Sequence, residues 1–149
     1  METTNIILNL MIGHHALIEV YFSILKDKLS SQQNVSEDLE KFKWQIEKHF
    51  FVEEKVVFDY DHFRIKNEKV YQLVKELTNE HVIIIREVER FSKQITDNEK
   101  PDMSGFQKLL EDHRKTEENE LYPILDKELD ESKKEEIVKR VNDIILEKK

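Results

Sequence analysis

Apolar residues return about every 3.5 positions along most of this chain, in four long runs, and that spacing predicts amphipathic helices. The first stripe is Leu8, Met11, His15, Ile18, Phe22, Leu25 and Leu29. A polar break at Ser30–Asn34 follows, and Ser36, ahead of Glu37 and Asp38, reads as an N-cap with acidic residues in the first turn. Leu39, Phe42, Ile46, His49, Glu53, Val56 and Tyr60 make the second stripe. Its end is weakly marked. The break is placed at Asp59–His62, with the third helix starting between Arg64 and Asn67. Val74, Leu77, His81, Ile84, Val88, Phe91 and Ile95 form the third stripe, and Thr96–Met103, with Pro101, is a loop. Ser104 and Gln107 read as a capping box opening the fourth helix, whose stripe is Phe106, Leu110, His113, Glu117, Leu121 and Ile124. Pro123 is expected to kink or end it. A second capping box, Ser132 to Glu135, starts a short helix carrying Ile137, Val138, Val141, Ile144 and Ile145, which should pack across the others. The pattern therefore predicts an all-α, up-down-up-down four-helix bundle over about 1–127, with a short C-terminal fifth helix over about 132–148, in a single domain spanning 1–149.

Composition agrees and narrows the chemistry. Only 2 Gly and 2 Pro leave little turn material for hairpins, and 38% charged residues of mixed sign suit long helices with solvated faces. The net charge of −8 argues against a nucleic-acid binder or an anionic-membrane binder. There is no cysteine, so disulfides, thiol catalysis and iron–sulfur ligation are excluded, and His and carboxylate remain as the strong metal ligands. The start lacks a basic region with a cleavage site, and no apolar run approaches the ~20 residues of a membrane span, so a cytoplasmic protein is expected.

The chemistry sits on the stripes. His15, His49, His81 and His113 are 34, 32 and 32 residues apart, and all four face inward. Across short loops, at roughly 1.5 Å of rise per residue, they come to similar heights in an antiparallel bundle. His49 and His113 each open the same pattern, H-x-x-x-E-E-x-x-apolar-aromatic: His49, Glu53, Glu54, Val57, Phe58, then His113, Glu117, Glu118, Leu121, Tyr122. Residues i and i+4 share one helix face, so each copy offers an imidazole and a carboxylate to one point. A lone histidine on an apolar stripe is more often a satisfied core residue than a ligand. Two in-register glutamates beside four imidazoles are different, because a buried carboxylate costs several kcal/mol unless paired or metal-bound. Six N and O donors suit two first-row ions, iron or manganese ahead of zinc. Ferritin-like bundles use Glu-x-x-His, which none of these histidines has.

On Gly13-His14-His15, His49-x-x-x-Glu53-Glu54, Glu80-His81 and His113-x-x-x-Glu117-Glu118, with Leu121-Tyr122-Pro123 after the last, the chain resembles the hemerythrin-like, HHE-type cation-binding domains over about residues 1–127. The resemblance implies two irons joined by two carboxylates and an oxo or hydroxo group, binding O2 or related molecules. Carried over, His15, His49, His81 and His113 would be nitrogen ligands, and Glu53 and Glu117 would bridge. His14 competes with His15 and Glu118 with Glu117, while Glu54 and Glu118 are otherwise expected outside the ligand set or in solvent. One departure stands out: oxygen carriers have His-x-x-x-His on the third helix, and here Ile85 follows His81. Water, Glu80 or nothing would fill the gap. His62 falls in a loop and is expected at the surface.

The resulting expectation is a di-iron protein that senses, stores or carries O2, NO, peroxide or iron. A peroxide- or NO-detoxifying oxidoreductase is the second reading, and a plain helical interaction module the third. Phe22, Val56, Ile84 and Val88 would wall a small pocket. Tyr21, Trp44, Tyr60, Tyr71 and Tyr122 read as core-edge residues, although one close to the irons could donate electrons. Output would pass through a redox or signalling protein partner, and the chain would act as a monomer or dimer.

Overall fold

Each apolar run becomes a helix that buries its stripe. The computed structural model of the protein describes residues 4–144. In it α1 spans Ile6–Ser30, α2 Ser36–Val52, α3 Glu68–Thr96, α4 Ser104–Thr116, α5 Tyr122–Glu128 and α6 Glu131–Asp143. Two π-helical turns complete the set: π1 (Glu53–Val57) continues α2, and π2 (Glu117–Leu121) joins α4 to α5. No strand occurs among the described residues, and the molecule is a helical bundle. The expected end of the last helix at 148, with Ile145, lies outside the described residues.

α1 packs on α2 and α5, α3 on α4 and α2, and α6 crosses α1 and π1. The apolar interior has two parts. One holds Phe22, Phe42, Phe91 and Phe106, whose rings lie 5.1–6.3 Å apart. The other holds Ile7, Met11, Leu77, Tyr122, Leu125 and Ile137. Every long helix passes from one part to the other through its histidine. On α1, Met11 lies in one and Ile18 in the other; on α3, Leu77 and Ile84 do the same. The histidine level is thus a polar layer between two apolar ones.

Several helix ends differ from the expected caps. Ser36 and Ser104 are first helical residues, not caps; their N–H groups donate to Asn34 Oδ1 and Asp102 Oδ1, so an acceptor two residues back does the work. At α6 the cap is Asp130, which accepts from the Lys133 N–H, and Ser132 lies inside the helix. Only α3 carries the expected boundary, with Asn67 accepting from the N–H groups of Lys69 and Val70. Pro123 neither ends nor simply kinks its helix. The wider π2 turn precedes it, where a missing N–H is tolerated, and α5 runs on to Glu128. The inserted residue moves the buried face, so Leu125 is buried where Ile124 was expected.

α1 also corrects a reading of the sequence. Over 18 residues its mean hydropathy is 1.3, long and apolar enough by length and composition to cross a membrane. Its inner face carries Met11, His15, Ile18 and Phe22 into the bundle, while Ile12, Leu17, Val20 and Ile24 on its outer face are exposed.

The start of α1 is held by the far end of the chain. Asp126 accepts from the N–H groups of Ile7 (2.9 Å) and Leu8 (3.0 Å), two of the donors a helix N-terminus leaves unpaired. Lys134 of α6 is 2% exposed; its Nζ donates to the Thr4 carbonyl and lies 3.8 Å from Asp126 Oδ1. Replacing Asp126 with alanine strips the acceptor from the buried Ile7 N–H and the part-buried Leu8 N–H and takes a buried carboxylate from beside Lys134, so Asp126→Ala should cost about 3 kcal/mol in a denaturant titration. A loss within ~0.5 kcal/mol would show that this clamp is not what holds α1.

Candidate metal centre

The two sequence copies fold alike. After His49 and after His113 the helix runs one turn to a glutamate, and the π-turn begins on that glutamate. Phe58 N–H donates to the Glu53 carbonyl, and Tyr122 N–H to the Glu117 carbonyl, five residues apart in both cases. π-turns of this kind recur at functional sites. Here each one lets both the i+4 glutamate and the i+9 aromatic turn inward. Phe58 lies parallel to His81, ring centroids 5.7 Å apart, and Tyr122 packs on His15 at 5.9 Å.

Four elements deliver six donors to one place. His15 comes from α1, His49 and Glu53 from α2 and π1, His81 from α3, and His113 and Glu117 from α4 and π2. None is more than 5% exposed, and both glutamates are fully buried. Glu53 Oε1 lies 3.1 Å from His49 Nε2 and 3.2 Å from His81 Nε2. Glu117 Oε1 lies 3.1 Å from His15 Nε2 and 3.3 Å from His113 Nε2. Yet Glu53 Oε1, Glu117 Oε2, His81 Nε2 and His113 Nε2 are buried without a hydrogen-bond partner. His15 Nε2 is within hydrogen-bond distance of Glu117 Oε1 and, at 3.2 Å, of His49 Nε2, and the four unpartnered atoms crowd beside them, converging on common points. Two groups satisfy the spacing of a metal site: Glu53, His81, His113 and Glu117, whose donor atoms lie within 4.8 Å of one another, and His15, His49 and Glu117. This donor set fits first-row transition ions.

The alternatives left open by sequence separate cleanly. His15 faces the centre, and His14 stands outside it, half-buried, with its ring 5.7 Å from that of His49. Glu117 is in the cluster, and Glu118 instead takes the outer nitrogen of His15, Nδ1, at 2.5 Å. Glu80 holds Nδ1 of His113 at 2.8 Å and does not enter the cluster. Glu54 approaches His81 Nδ1 only to 3.9 Å. Such outer partners fix ring orientation and tautomer. Ile85 lines the groove between α2 and α3, together with His81. His62 is exposed and pairs with Glu136 of α6 at 2.9 Å. Phe22, Val56, Ile84 and Val88 are all buried.

One residue was missed. Tyr122 is fully buried, and its hydroxyl donates to Glu53 Oε2 at 2.6 Å. The signal was present in the repeat, whose last position is Phe58 in one copy and Tyr122 in the other. Tyr60 and Tyr71, by contrast, pair with each other at 4.6 Å, and Tyr71 donates to the Ile65 carbonyl.

A cavity of about 340 Å³ lies between α1 and α4, bordered by His15, His113 and Glu117 at its inner end and by Ile18, Phe22 and Leu110 along its walls. Arg114 sits on this side, bound to Glu19 of α1 at 2.9 Å and to Glu118 at 3.3 Å.

Burial sets the charge states. It lowers the pKa of His49 and of His113, and takes His14 down to about 4, aided there by the neighbouring His49. Burial opposes the charge on Glu53, but the imidazoles of His49 and His81 outweigh it and hold the carboxyl well below its usual range. Burial, reinforced by Glu53, keeps Tyr122 a neutral phenol. Neutral His49 and His113 beside an ionised Glu53 are in the form that metal ligation requires.

The chain matches the hemerythrin HHE cation-binding domain over residues 6–125, and it belongs to that family. No curated protein and no solved structure matches it.

The lowered histidines set a pH dependence for the metal-free protein. Unfolded, they take up protons near the ordinary histidine value, while folded they resist, so the unfolded state binds more protons as pH falls. Stability should therefore drop below about pH 6.5, and drop further below about 4.5 as Glu53 is protonated in the unfolded chain. Melting temperatures of the metal-free protein between pH 8 and 4 check this. His113→Gln should flatten the upper part of the curve, and a stability that rises on acidification would contradict the assignment.

Proposed function

We propose that this protein is a non-haem di-iron binder that takes up O2 or a related small molecule, NO or peroxide, or holds iron itself, for sensing, storage or transport. The observation that supports this best is the convergence of six orphaned or closely crowded N and O donors, with two fully buried glutamates, at one level of the bundle. An up-down-up-down order of the four long helices belongs to the same reading. The alternation of each helix between the two apolar layers favours it. So does a single domain across the chain in a cytoplasmic setting.

In this proposal His15, His49, His81 and His113 supply nitrogens, and Glu53 and Glu117 supply oxygens. Iron at such a site, ahead of manganese or zinc, contributes redox capacity and open coordination positions for small ligands. The chain supplies the rest. Glu118 and Glu80 hold the outer nitrogens of His15 and His113, so the inner nitrogens stay aimed at the centre. The two apolar layers exclude bulk water, and the cavity between α1 and α4 offers a small ligand its approach. With Ile85 in place of a second histidine on α3, fewer nitrogens are available than in oxygen carriers. That favours exchangeable positions, and it is the observation behind a second reading, a peroxide- or NO-detoxifying oxidoreductase.

Elemental analysis of protein purified without a metal-affinity tag, after anaerobic iron loading, should give about two irons per chain. His49→Ala or Glu117→Ala should lose metal and forfeit the rise in melting temperature that loading brings, since ligand bound only to the folded state stabilises it. His62→Ala should do neither. Full iron content in His49→Ala would overturn the ligand assignment.

A further inference from the structure

α1 is apolar on both sides, and the bundle packs against only one of them. Between Ile6 and Leu25 it carries a single charged side chain, Glu19, in a chain that is 38% charged. Its inner face holds His15, Ile18 and Phe22 in the bundle. Its outer face leaves Ile12 40%, Leu17 42%, Val20 53% and Ile24 39% exposed, with Gly13 and Ala16 open among them. A helix that is apolar all round belongs in a buried setting, not at a face open to water. The four large side chains present about 300 Å² of apolar surface along one stripe, the size at which patches mark association. Gly13 lies on the same face. Glycine weakens a helix interior, so its use there calls for a reason. Packing within the chain supplies none, because a Cβ at Gly13 would meet nothing within 4 Å.

We infer that this face pairs with the same face of a second copy of the chain, α1 against α1 in antiparallel order about a two-fold axis. Gly13, Leu17, Val20 and Ile24 follow at intervals of four, three and four residues, the spacing of a helix–helix seam. Pairing about the midpoint of that seam sets Leu17 against the partner's Val20, and Ile24 against the partner's Gly13, where the large side chain fills the gap. Self-pairing lays a face on its own copy, so a charged face would repel itself. This one has only Glu19 at its edge, already held by Arg114 at 2.9 Å. Two such patches, with the polar residues beside them, cover about 1,000 Å², the least that a specific interface needs. An anionic membrane surface fits the face less well. The chain carries a net charge of −8, and the first cation along α1 is Lys26, whose Nζ donates to Gln107 at 2.6 Å. Glu19 and Lys26 border the cavity between α1 and α4, and they lie roughly 140° around the helix from the seam, so pairing leaves that cavity open.

The test is sedimentation velocity on the full-length chain. From about 1 µM to about 300 µM, monomer should give way to dimer, since an interface of this size holds weakly. Val20→Glu should weaken the pairing by about a hundredfold, because it buries a charge in an apolar seam. Val82→Glu, at a position of α3 that is 50% exposed, should leave the pairing unchanged. Val20 is a surface residue of the single copy, so at about 1 µM the helicity and melting temperature of Val20→Glu should match those of the wild type. The chain has no cysteine, so cross-linking reads the orientation. Mixed and oxidised, Gly13→Cys and Ile24→Cys chains should join one to the other rather than each to itself. A wild type that stays monomeric throughout, a dimer that Val20→Glu does not weaken, or cysteines that join only like to like would overturn the inference. A monomer that instead co-sediments with vesicles of phosphatidylcholine and phosphatidylglycerol assigns the face to a membrane surface and overturns it equally.

Discussion

Two carboxylates buried in the middle of a helical bundle are the constraint on which the rest of this structure depends. Glu53 and Glu117 have no exposed surface. An ionised carboxylate so placed is costly unless cations or donors surround it. The chain meets that demand by bringing one imidazole from each of four helices to the same level, and by layering apolar side chains above and below. The lengths of the helices, the spacing of the histidines and the division of the core into two parts all follow from keeping that level intact. Even the outer carboxylates fit the pattern. Glu80 and Glu118 are partly exposed and turn the rings from behind, so negative charge is shared outward toward solvent and not added to the centre.

The π-turns are the local device that makes such a site possible on a straight helix. An ordinary α-helix presents i and i+4 on one face, which accounts for His49 with Glu53 and His113 with Glu117. It would carry the i+9 residue off that face. The wider turn that starts on each glutamate brings Phe58 and Tyr122 back against a histidine from another helix. Two copies of one ten-residue module, set on α2 and α4, thus form much of the site's wall as well as its donors. At the aromatic position the copies differ by one atom, the Tyr122 hydroxyl.

Much of this was legible in the sequence, and the parts that were not have physical reasons. Helix existence was readable because the stripes are long and their period unambiguous: Met11, Ile18, Phe22 and Leu25 on α1 are all buried as expected. The family resemblance rested on paired motifs, and the family match over residues 6–125 agrees with it. Helix ends were less readable. Ser36, Ser104 and Ser132 have the composition of caps, but Asn34, Asp102 and Asp130 lie near enough to compete for the same donors. The π-turns left no trace in a 3.5-residue pattern until the buried face shifted, which is why Ile124 was placed inside and Leu125 was not. Tyr122 was grouped with the other aromatics because its partner, Glu53, is 69 residues away. Periodicity carries no information about such a contact.

The clamp between Asp126 and the start of α1 joins residues 119 positions apart. On a ribosome, which delivers the chain from its N-terminus, the start of α1 emerges well before the residue that completes it. Its first turn lacks this acceptor during that interval, although α2 follows at once to cover part of its length, and contacts so distant in sequence close slowly. The first turn of α1 is therefore finished late, although in the folded protein the helix is tied at both its inner face and that turn.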